Sequence, residues 1–94
     1  MKWDRLRLFN IVAQTRNITE ASHILQMSQS ALSRQMKALE NELGVRLFLR
    51  NSDGISLTKA GMRLSSSVQV LASDISKTHN QLLEDMDVPS GRLN

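Results

Sequence analysis

With 94 residues and 40% hydrophobic side chains, the chain can build one modest core, near the lower size at which a domain folds unaided. It has no cysteine, which excludes a disulfide framework and a thiolate metal site, and no apolar run of signal-peptide or membrane-spanning length, so a reducing cytoplasm is the expected setting. The formal charge of +3 comes from 12 basic and 9 acidic residues, and it is uneven: eight basic side chains meet five acids up to residue 58, while four meet four beyond it.

The first helix is predicted from about Asp4 to Gln14, with Leu6, Phe9 and Ala13 at core spacing, Val12 beside them and Trp3 packed at the entrance. A short second helix follows in ITEASHIL, where Ala21, Ile24 and Leu25 recur at helical spacing behind Thr19 as the N-cap. Gln26 and Met27 leave room for only a tight turn before Ser28, a second capping residue. From Ser28 to Leu43, a register of about 100° per residue gathers Leu32, Met36, Leu39 and Leu43 on one narrow stripe. Ser30, Ser33, Arg34, Lys37 and Asn41 collect opposite, with Glu40 and Glu42 on the flanks, so the outward face carries no acid. Such a helix buries its Leu/Met stripe and offers hydroxyls, a guanidinium and an ammonium to something anionic, such as a nucleic-acid groove. Ordinary solvated helices share this pattern. The brief connection to the preceding helix points further, because two helices so joined form a helix-turn-helix with the later one in the recognition position.

Gly44 supplies the left-handed stop that commonly ends a helix. In RLFLR the side chains alternate along a short strand, Leu47 and Leu49 to one side, Arg46, Phe48 and Arg50 to the other. Asp53-Gly54 is the dipeptide expected at a hairpin tip, and Ile55 and Leu57 read as the returning strand. Three helices and a two-stranded hairpin make a mostly α winged helix-turn-helix over residues 1–58. Thr58 then caps a long helix over residues 59–87, in which Leu64, Val68, Leu71, Ile75, Thr78 and Leu82 are spaced 4, 3, 4, 3 and 4 apart. A seam of this length needs a cover. A fold-back onto its own domain is one way to supply it; the spacing predicts instead a partner helix, making the segment a dimerisation linker. Pro89 and Gly91 mark residues 88–94 as a hinge.

Taken together, TEASHIL, SQSALSRQMKALENELGVRLFLR and LTKAG resemble the N-terminal domain of the LysR-type transcriptional regulators, and the similarity covers essentially the whole chain. The resemblance implies a homodimer, joined through the linker helix, that binds an interrupted inverted repeat in double-stranded promoter DNA. By the same resemblance Gln29, Ser30, Ser33 and Arg34 enter the major groove, Lys37 lies toward the backbone, and Arg50, Asn51 and Ser52 of the wing approach the adjacent minor groove. The chemistry suits these roles: Arg bridges guanine O6 and N7, Gln pairs with adenine, and Ser28 at the helix N-terminus can hold a phosphate oxygen. This sequence departs from the family pattern twice. Ser30 stands where many members have proline, and Asp53 stands where the wing is usually arginine. Complete members continue into an effector-binding domain, and GRLN resembles the entry to its first strand, so the chain is expected to be a DNA-binding fragment whose small-molecule effector belongs to the full-length protein.

An enzyme is disfavoured. Ser65, Ser66 and Ser67 lack a hydrolase elbow, and His23 and His79 lie on separate helical segments without metal spacing, so no catalytic residue, metal or cofactor is expected, and no membrane partner. A protein-interaction module would not need the acid-free outward face. RNA is disfavoured because Trp3, Phe9 and Phe48 are the only aromatics, too few for a stacking platform.

Overall fold

The computed structural model describes residues 2–87 as α1 (Trp3–Thr15), α2 (Ile18–Leu25), α3 (Gln29–Leu43), β1 (Phe48–Asn51), β2 (Gly54–Leu57) and α4 (Lys59–Asp87). Three helices and a hairpin enclose one core, and α4 extends from it: a winged helix-turn-helix. Leu6, Phe9, Val12 and Ala13 of α1 are all buried, as their spacing predicts, whereas Trp3 remains exposed at the helix start. The helix ends where Arg16 turns left-handed and its N–H donates to the Val12 carbonyl at 2.8 Å.

The cap of α2 is Asn17, not Thr19. Its Oδ1 accepts the Glu20 N–H at 2.9 Å from an extended backbone, so the helix begins at Ile18 and Thr19 lies inside it. Being only eight residues long, α2 buries a single face, formed by Ala21 and Ser22 with Leu25 at its edge. Ile24 points about 100° away from that face and is 56% exposed, contrary to its expected core role. The helix closes with paired bonds, Gln26 N–H to His23 O at 3.2 Å and Met27 N–H to Ser22 O at 2.9 Å, with Gln26 left-handed and Met27 packed on the core. One residue later Ser28 Oγ accepts the Ala31 N–H at 3.1 Å and opens α3. The tight turn is therefore the predicted one.

Leu32, Met36 and Leu39 of α3 are buried, Leu43 packs at the edge of the core, and Gly44 ends the helix at φ 73°. The strands pair antiparallel, with Phe48 opposite Leu57 and Asn51 opposite Gly54. Two expectations change here. Leu47 and Phe48 are both buried while Leu49 faces out, because Leu47 precedes the strand and is not bound by its alternation. Phe48 then reaches the core, its ring 5.4 Å from that of Phe9. The hairpin tip is Ser52-Asp53, one residue earlier than expected; Asn51 Oδ1 accepts the Asp53 N–H at 3.0 Å and holds the turn, and Gly54 opens β2.

Thr58 Oγ1 accepts the Gly61 N–H at 3.0 Å and starts α4 as predicted. The first turns of α4 pack on α1 and β2. Val68 is only 1% exposed and Leu64 packs on the core, so these two members of the expected dimer seam are covered by their own domain. The heptad spacing reads through both, since periodicity records that a seam is apolar and not what covers it. Leu71, Ile75 and Leu82 are 48%, 54% and 59% exposed. Among the described residues no helix is long and apolar enough to cross a membrane. The expected hinge at 88–94 lies outside them.

Candidate nucleic-acid interface

The recognition position of α3 is fixed from behind by α1. Arg5 Nε donates to Gln35 Oε1 at 3.1 Å and Arg5 Nη1 to Glu42 Oε1 at 3.2 Å, so this guanidinium is spent on orientation. The opposite face is open. Gln29, Ser30, Arg34, Lys37 and Asn41 are exposed, and Ser33 is half-buried. At the start of the helix Ser28 Oγ and Ser30 Oγ are 3.4 Å apart. Ser28 caps through its acceptor, so its hydroxyl proton can go either to Ser30 or to an outside acceptor.

The wing lies against the Ser33 flank of α3. Arg50 Nη2 donates to Ser33 Oγ at 3.4 Å, and Ser33, Lys37, Arg46 and Arg50 border one trough whose apolar floor includes Met36 and Phe48. Three cations thus ring a cleft between two elements, a geometry that concentrates positive potential. Among the described residues Glu40 is the single acid in that lining. Its carboxylate is turned to the backbone of the wing root, accepting the Leu47 and Phe48 N–H groups at 2.7 and 3.2 Å.

The sequence-predicted wing residues divide. Arg50 reaches α3, whereas Asn51 is committed to the wing itself, since besides the turn its Nδ2 donates to Ser56 Oγ at 3.3 Å. Ser52 and Asp53 are exposed at the tip. Arg50 and Asn51 also border a second hollow with Asn17, Ile18 and Thr19, which joins the start of α2 to the wing side of the surface. Sequence periodicity missed this contribution, and also that of Glu40, which a helical wheel places on a flank.

On α4, Leu71, Ile75, Thr78 and Leu82 line one groove with Asp74 and His79. Thr78 Oγ1 donates to the Asp74 carbonyl at 2.9 Å, so its hydroxyl needs no partner in that groove. His23 is exposed on α2 and His79 on α4, and among the described residues no group of three or more His, Cys, Asp or Glu could hold a metal ion.

Known proteins share this arrangement. The chain is 37% identical over 81 residues to a probable RuBisCO transcriptional regulator of Thalassiosira pseudonana, covering 83% of this chain and 26% of that protein. It is 35% identical over 88 residues to the HTH-type transcriptional regulator CzcR of Bacillus subtilis (strain 168), covering 94% of this chain and 30% of that protein. The chain therefore spans under a third of the length of these relatives. Among solved structures, the BenM_DBD/catB site 1 DNA complex superposes with a TM-score of 0.84 at 29% identity, covering 99% of this chain and 100% of that one. The CbnR_DBD-DNA complex does so with a TM-score of 0.78 at 32% identity, covering 90% and 98%. Residues 3–62 match the model described as "Bacterial regulatory helix-turn-helix protein, lysR family". With its helix-turn-helix, wing and long helix in the same order as these neighbours, the chain belongs to the lysR family of bacterial regulatory helix-turn-helix proteins.

Proposed function

We propose that this chain is the DNA-reading end of a cytoplasmic transcription regulator, which sets α3 into the major groove of an inverted-repeat promoter site as one half of a homodimer. The observation that carries the reading is the acid-free, exposed face of α3 beside a trough that Lys37 borders together with Arg50 of the wing and Arg46 of the segment leading into it. Its likeness to the two DNA complexes supports the same docking. In this reading Arg34 and Gln29 read base edges, Ser30 and Ser33 adapt to a base edge or a phosphate, and Lys37 neutralises backbone. Ser28 with the α3 N-terminus holds a phosphate, and Arg50 with Ser52 follows the sugar-phosphate edge at the wing. Asn51 serves by shaping that wing. The groove of Leu71, Ile75, Thr78 and Leu82 takes the second copy, and a small-molecule effector acts through the rest of the full-length protein.

The test is a salt-titrated binding assay with three probes: a duplex selected by the chain from a random pool, a scrambled duplex, and single-stranded RNA. Binding should rank in that order and fall steeply with salt. RNA binding at or above the selected duplex would overturn the reading. Within the same assay, Arg34→Ala should weaken the selected duplex by about 1–3 kcal/mol and flatten preference at one base position. Lys37→Ala should weaken all duplexes alike and reduce the salt slope by roughly one contact. Equal, sequence-independent losses from both would remove Arg34 from base readout.

Asp53 makes a third prediction. Because Asn51 rather than Asp53 holds the turn, Asp53→Arg leaves the hairpin intact and reverses charge at the exposed tip. Selected and scrambled duplexes should both bind more tightly at low salt, with the slope of log K against log salt steepened by about 0.9 per added phosphate contact. A flat response on both duplexes, with circular dichroism unchanged, would mean that the tip does not approach DNA.

A further inference from the structure

We infer that Glu40 is the positioning residue that locks the wing to the recognition helix, so that a carboxylate facing a DNA-binding trough raises affinity for DNA instead of lowering it. The inference rests on the DNA reading above. Of the five backbone N–H groups from Gly44 to Phe48, four end on this one residue. Gly44 and Val45 donate to its carbonyl at 2.8 and 3.3 Å, and Leu47 and Phe48 donate to its Oε2 at 2.7 and 3.2 Å. The side chain is only 15% exposed, so these are sheltered, charge-assisted bonds. The Arg46 guanidinium, 3.9 Å away and largely in solvent, adds little by comparison.

The consequence for the site follows from connectivity. The segment between α3 and β1 carries the first wing strand, and hence Arg50, whose contact with Ser33 at 3.4 Å is too long to fix the wing by itself. On the far side the segment is held by Thr58, whose Oγ1 donates to the Arg46 carbonyl and whose N–H donates to that of Leu47. Glu40 is therefore the α3 side of a clamp closed from the α4 side. Removing its side chain would orphan two amides at the strand root, which water or a displaced backbone would then have to satisfy. The outer part of the wing would loosen against α3, while the buried Leu47 and Phe48 side chains still anchored its root in the core.

Charge and position make opposite predictions, and this decides the test. If Glu40 acts only as a charge near DNA, any neutral replacement should tighten binding. If it acts as a clamp, Glu40→Gln keeps an acceptor oxygen at the same reach and should bind a mixed-sequence duplex as well as the parent or better. Glu40→Ala removes the acceptor, and Glu40→Asp withdraws it by one methylene. Both should bind roughly fivefold or more weakly, with a salt slope shallower by about 0.9 as one wing contact is lost. Amide hydrogen exchange reads the clamp without DNA: in Glu40→Ala and Glu40→Asp the Leu47 and Phe48 amides should exchange roughly tenfold faster, with amides in the middle of α1 unchanged. Should Glu40→Ala fail to fold, the comparison of Asp with Gln stands in its place. Alanine or aspartate binding as tightly as the parent, or glutamine falling with them, overturns the inference. If the parent chain itself binds no duplex, the DNA reading fails and the exchange result still judges the clamp.

Discussion

Gly61→Ala should destabilise the winged domain by about 3 kcal/mol, although the position is inside a helix where alanine normally gains about 1 kcal/mol over glycine. A Cβ at Gly61 would overlap the Leu47 carbonyl oxygen, a contact that no side chain can hold. The oxygen cannot yield cheaply. It already accepts the Thr58 N–H at 3.0 Å, and Leu47 itself is fully buried, so α4 must move off the wing root or that bond must break. The effect appears as a fall in Tm of roughly 15 °C, measured at fixed chain concentration because the chain is proposed to dimerise. An unchanged or raised Tm would mean that α4 sits farther from Leu47 than this contact requires. Gly44→Ala is the control. There nothing among the described residues lies within 4 Å of the added methyl, so only the left-handed backbone at φ 73° is strained and the loss should be about 1 kcal/mol.

That glycine illustrates what sequence reveals and what it hides. Periodicity found α3 because Leu32, Met36 and Leu39 answer one question, which face is apolar, and burial answers it the same way. Local chemistry found the Ser28 cap, the Gly44 stop and the Thr58 start, since each is decided within four residues of chain. The Asn17 cap is legible too: Asn followed three residues later by Glu20 is a helix-start pattern, which outranks the lone hydroxyl of Thr19. Tertiary contacts were not legible. Nothing local says that Gly61 backs onto Leu47, that Glu40 turns from its flank toward the wing root, or that Leu47 enters the core before the strand alternation begins. The outward residues of the site are readable as a set because they share a helix face. Which of them meets the wing depends on the register of Phe48 with Leu57, fixed only when the hairpin docks.

Leu71→Glu combined with Ile75→Glu should give a folded monomer that has lost most of its affinity for an inverted repeat. Both side chains are about half exposed in the single chain and lie beyond the part of α4 that packs on α1 and β2, so charging them leaves the domain core untouched. In a dimer they would be enclosed, and four carboxylates in an apolar seam would oppose association strongly. A monomer engages one half-site. Its second contact is no longer held at a high effective concentration, so binding to the full site should fall on the order of 100-fold, while binding to an isolated half-site changes little. Val68→Glu separates this from general damage: Val68 is covered within its own chain, and a charge there should unfold the domain. Thr78→Leu runs the other way. With its hydroxyl satisfied inside the helix, threonine adds little to the groove, and leucine should extend the apolar seam and strengthen the dimer. Sedimentation at several chain concentrations reads all three variants. A dimer unchanged by the double glutamate substitution would place the interface on another surface, and the groove of Leu71, Ile75 and Leu82 would then have to be covered by something other than a second copy.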